Sequence, residues 1–157
     1  MKAASVSNIK KELKHRSPEE LLEVCLRLAK FKKENKELLT YLLFESDNEQ
    51  AYIDHVKIEI DAQFEEINKS SYYYIKKSVR KILRNIKKHS RYSTKKETEV
   101  ELLIYFCLIL KNMKPSIKRD QTLYNIYLRQ LEAIKKNIAT LHEDLQYDYN
   151  LELEKLD

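Results

Sequence analysis

VELLIYFCLILKNM, residues 100–113, decides how the rest of the chain is arranged. Within it, residues 102–110 run nine apolar or aromatic side chains with no polar interruption. At helical spacing such a run is apolar on every side, so a helix built from it belongs inside a shell of neighbours. A membrane span needs about 20 residues, and Lys111 and Lys114 close this run well short of that. The stretch reads as a central helix wrapped by amphipathic ones.

The composition agrees. There is no Gly in 157 residues, and the only prolines are Pro18 and Pro115. Hairpin turns and phosphate loops lean on Gly, so their usual chemistry is missing. The fold class expected is all-α, a compact helical bundle or a short helical-repeat-like array of about six helices. Residues 1–157 read as a single domain, long enough to bury a core without disulfides or metals. Glu-Leu-Leu at 20–22 and again at 101–103 opens two apolar helices that each hold a cysteine, a slight identity that suggests a duplicated helical unit.

Working outward from the centre, Ser93 or Thr94 is placed to cap the central helix, and Pro115 ends it by disfavouring helical angles at Lys114. Upstream, Ser17-Pro18-Glu19-Glu20 is the sharpest local signal: an N-cap serine, a proline at the first helical position and a glutamate to complete a capping box. The helix it opens carries Leu21, Val24, Cys25, Leu28 and Phe31 on one face, with a turn near 33–35. Ser7 is placed to cap a short helix before it. Ile53, Val56, Ile60, Phe64 and Ile67 describe a helix over 49–68 whose other face is acidic. Downstream, a helix over 120–145 repeats Tyr127, Leu131, Ile134, Ile138, Leu141 and Leu145 at alternating spacings of four and three, a seam of the coiled-coil kind. Residues 146–157 read as an acidic tail or a helical extension.

Charge is the most informative functional signal. No Asp or Glu occurs from Ile67 to Lys96, although the whole chain is only +5. On a helix over 72–91, Ile75, Val79, Ile82, Leu83 and Ile86 gather on one arc. Lys76, Lys77, Arg80, Lys81, Arg84, Lys87, Lys88 and Arg91 fall on the opposite one, with Tyr73 beside them. A row of cations of this kind meets an acidic partner or a phosphate backbone, and Tyr73 is available to stack on an exposed base. The same row also fits a basic helix lying on an anionic membrane, or a solvated face neutralised by the acidic helix before it. The partner-binding candidates are therefore Tyr73 and those eight cations. The terminal seam reads first as packed inside the bundle, since most amphipathic helices cover their own core; the self-association candidates it also offers are Leu131, Ile134, Ile138, Leu141 and Leu145, through which a homodimer would form.

No HExxH, nucleophile elbow or Glu-x-x-His pair is present, and without Gly neither the P-loop nor the dinucleotide fingerprint can be written. Asp54-His55 with Glu59, and His142-Glu143-Asp144, are the only carboxylate–imidazole clusters, and neither has the spacing of a metal site. Cys25 and Cys107 both lie in apolar runs and read as buried free thiols, which suits a reducing, cytoplasmic compartment. Residues 1–5 lack the apolar stretch of a signal peptide. The expectation is a non-enzymatic helical interaction or scaffold module, with no cofactor, metal, small-molecule ligand or membrane span. Its partner is a protein or a second copy, and the alternative is a nucleic acid bound on the same basic face.

Overall fold

The computed structural model describes residues 1–157 and contains eight α-helices, one π turn, one 3-10 turn and no strand. The helices are α1 (Val6–Leu13), α2 (Pro18–Phe31), α3 (Lys33–Thr40), α4 (Glu49–Glu65), α5 (Tyr72–Ser93), α6 (Lys96–Asn112), α7 (Gln121–Ile138) and α8 (Glu143–Glu154). The π turn covers Tyr41–Glu45 and the 3-10 turn Ile117–Arg119. The all-α class stands, with eight helices rather than about six. No helix is long and apolar enough to cross a membrane. The chain divides into two compact units, Met1–Phe44 and Glu45–Asp157.

The first unit is three short helices. Ser17 accepts a bond from the Glu20 amide at 3.2 Å and Pro18 opens α2, as the local signal requires. The Glu20 carboxylate takes Arg16 at 3.3 Å and so is turned toward that side chain. α2 ends at Lys32, whose extended backbone (φ −140°, ψ 147°) makes the corner, and the Asn35 side chain donates to the Leu28 carbonyl across it at 2.8 Å. α1 is capped by Ser5, two residues earlier than Ser7. Tyr41 is the only buried residue of this unit. The Leu21-to-Phe31 face expected to be core is largely open, and Cys25, expected buried, is exposed.

The second unit is built on α6, which packs against α4, α5, α7 and α8. Leu102, Leu103, Phe106, Cys107 and Leu110 have no exposed surface, and Phe106 meets Phe64 of α4 with ring centroids 5.8 Å apart. Burial pushes the Cys107 thiol up to about 12, so it stays protonated and inert. Lys95 precedes α6 without a side-chain cap; Ser93 and Thr98 instead donate to Glu49 at the start of α4, the latter at 2.6 Å. α6 stops at Asn112, and the Lys114–Pro115 peptide is cis.

The terminal seam is cut. α7 ends at Ile138, where the Thr140 hydroxyl donates to the Asn137 carbonyl at 2.7 Å, and His142-Glu143-Asp144 opens a separate helix. In that sequence His142 Nδ1 accepts from the Asp144 amide at 3.3 Å, so the triplet is a cap with two acids at the positive end of α8. α8 packs on α6 and α7, and Leu153 and Leu156 are buried. Leu131, Ile134 and Ile138 are buried inside this unit, while Leu141 and Leu145 are half-buried beyond the end of α7. The first three of these seam positions are spent on the unit's own core.

Candidate anion-binding face

α5 is two-sided for a local reason: its 22 residues contain no acid, and its branched apolar side chains recur every three or four positions. Ile75, Val79, Ile82 and Ile86 are buried, and Leu83 is half-buried at the edge. The opposite arc is set by what α5 packs against, α4 on one side and α6 on the other. α4 and α5 run antiparallel, since Glu49 bonds Ser93 while Tyr52 donates to the His89 carbonyl at 3.0 Å.

Polar bonds clamp both ends of α5. Near its start, Tyr72 donates to the Ser116 carbonyl at 2.7 Å, and Lys76 pairs with Asp120 at 3.2 Å. Asp120 is also the N-cap of α7, accepting from the Leu123 amide at 2.9 Å. That backbone bond, with Lys76 beside it, holds the Asp120 carboxyl below the usual aspartate range although partial burial opposes it. Near the other end, His89 Nε2 lies 3.1 Å from the Glu59 carboxylate. Beyond it Thr94 closes the helix in the left-handed region (φ 62°, ψ −5°), with its amide donating to the Ser90 carbonyl at 3.0 Å. Glycine is the usual residue at such a position, and a chain without glycine fills it with a strained β-branched one.

These contacts sort the nine candidates. Lys76 is taken out of the row by Asp120, and Lys88 is half-buried with an interaction of its own. Lys77, Arg80, Lys81, Arg84, Lys87 and Arg91 are all exposed, and none has a carboxylate within 4.0 Å. At 100° per residue these six lie within about 120° of arc, and from 77 to 91 they span about 21 Å along the axis. Tyr73, 68 % exposed, stands on the same arc with its ring edge-on to Tyr74 at 5.3 Å.

No carboxylate of the acidic helix before α5 comes within 4.0 Å of these six cations. Of the carboxylates on α4, Glu59 reaches His89, Asp61 accepts from Tyr105 at 2.6 Å, and Glu49 serves the Ser93–Thr98 corner. Lys57 turns instead to Glu101 of α6 at 2.8 Å. The second unit carries twenty Lys and Arg against nineteen Asp and Glu, so its field there comes from arrangement and not from net charge. His89 and Asp120 are the members of this surface that sequence reading missed. Their ion pairs, His89 with Glu59 and Asp120 with Lys76, join residues 30 or more apart, and nothing in the local pattern marks those pairs.

No three His, Cys, Asp or Glu side chains are grouped to hold a metal ion. His55 pairs with Glu45 at 3.3 Å, and His142 is a helix cap. A shallow crevice of about 560 Å³ where α4 and α6 end is lined by Phe64, Leu108, Ile109 and Met113 with Lys69, Asn112 and Lys114, a set without an acid, histidine or thiol. Comparison with protein-family models, curated proteins and solved structures returned no match.

Proposed function

We propose that this chain is a non-enzymatic interaction module that engages a polyanion through the outer face of α5, and that the polyanion is a nucleic acid. What supports the reading is one observation: six cations in a row, all in solvent and all without an intramolecular partner. Holding such a row together costs self-repulsion in the free protein, and a bound anion relieves it. The composition of the face favours a nucleic acid over a protein. Protein interfaces place aromatic and apolar side chains at the centre and are depleted of lysine there. This face has three lysines, three arginines and a single tyrosine at one end. That make-up suits a phosphate-contacting surface, in which cations set affinity and one ring adds stacking. Its length of about 21 Å matches roughly six steps of a strand at 3.4 Å each.

Fluorescence anisotropy with labelled single-stranded RNA, duplex DNA and a polyglutamate peptide tests this. The expected result is binding of a nucleic acid with a log–log salt slope of about −3 to −5. The Arg80→Glu, Arg84→Glu double variant is expected to bind at least tenfold more weakly, with the slope reduced by about 2. Both side chains are exposed, so the variant keeps its fold by circular dichroism. Absence of binding to either nucleic acid at low ionic strength removes the reading, and binding to polyglutamate alone replaces it with an acidic protein partner.

A further inference from the structure

The first unit presents the opposite problem to α5. Twelve of its large apolar side chains, on α1, α2, α3 and the turn after them, are exposed. Phe31 and Phe44 are more than three-quarters in solvent. At about 100 Å² each, these leave on the order of 1,000 Å² open. That area is spread over several sides of the three helices, and six of the twelve side chains line grooves between them. Units of around 40 residues commonly need oligomerisation to hold a fold.

α2 shows what fits. Its inner side is used within the unit: Val24 lines a groove with Ile9 and Leu13 of α1, and Cys25 and Leu28 line one with Leu38 of α3 and Leu42 of the π turn. Leu22 and Leu26 form a separate outward ridge, 60 % and 47 % exposed. Beside that ridge the charges are sorted along the axis. Glu19 and Glu23 stand in the N-terminal half, Arg27 and Lys30 in the C-terminal half, and none of the four has an ion pair within the chain. At 100° per residue, Glu19, Glu23 and Lys30 share the flank next to Leu26. A helix that is acidic at one end and basic at the other is complementary to itself when turned antiparallel, which is what a two-fold interface requires.

We infer that the protein is a homodimer in which α2 packs antiparallel on α2 of a second copy, Leu22 and Leu26 meeting at the centre and Glu19 and Glu23 facing the partner's basic half. This goes beyond the reading of α5 and uses none of its residues. Sedimentation equilibrium of the full chain at about 50 µM is expected to give twice the 18.9 kDa of one copy. The Leu22→Glu, Leu26→Glu variant places charge where a single copy has solvent, so it is expected to keep its helicity and sediment as a monomer. Glu19→Lys alone and Lys30→Glu alone are each expected to weaken the dimer about tenfold, and the two together to restore it. A short bismaleimide, reacting at exposed Cys25 but not at buried Cys107, is expected to cross-link the dimer. A monomeric wild-type chain overturns the proposal. So does a dimer that survives the double glutamate variant, or single charge reversals that behave as wild type.

Discussion

Asp120 shows how one side chain ties α5 to α7. It caps α7 through the Leu123 amide and holds Lys76 of α5, and the carboxylate form does both. Its folded pKa lies below the unfolded value of about 3.9, so its contribution is fully present above that value and is lost as pH falls through the folded one. Urea unfolding at stepped pH is expected to show a shallower loss of stability below pH about 4 in Asp120→Asn than in the wild type. Asparagine keeps the cap but has no charge to titrate. An equal slope in both proteins would assign the acid sensitivity to other carboxylates. Tyr105 and Tyr127 behave in the reverse sense. Burial first, then Asp61 for Tyr105, and Cys107 with Asp157 for Tyr127, push both phenols up to about 12. They stay neutral donors across the physiological range, and Tyr127 uses its proton on the Leu156 carbonyl.

At the scale of the element, α7 and α2 are instructive together. Each carries a leucine-rich stripe at helical spacing, and no feature of either stripe says what lies against it. In α7 the stripe is core: Ile134 is fully buried and Leu131 nearly so. Ile134→Ala is expected to cost about 2–5 kcal/mol in chemical unfolding, since it leaves a cavity the packed helices cannot close. Leu131→Glu is expected to unfold the second unit outright, because it buries a charge without a partner. If Leu131→Glu stayed folded and merely lost mass, the seam would be an interface after all. α5 is the contrasting case. Its two arcs were readable from residue order alone, because the same 3.6-residue period sorts both isoleucines and cations.

For the whole molecule, the contrast is between a unit with a filled centre and one with almost none. Hydrogen exchange followed by mass spectrometry is expected to find the amides of residues 102–110 the slowest in the chain. Those of α2 in a dilute sample are expected to exchange about 100-fold faster or more. Protection in α2 is expected to rise with protein concentration as the second copy binds, and protection independent of concentration would count against that contact. By itself the sequence determined the helical class, the central place of residues 102–110, the Ser17–Pro18 start and the cationic arc. Each of these is a property of period, capping or glycine content, and those act within a few residues. Only the tertiary structure decided which apolar faces are covered, which lysines are spoken for and where the long terminal seam breaks. Lys76 finds Asp120 44 residues later, and α8 folds back so that Leu153 and Leu156 are buried. Such choices depend on which elements meet in space, and a pattern along one helix carries no record of its neighbour.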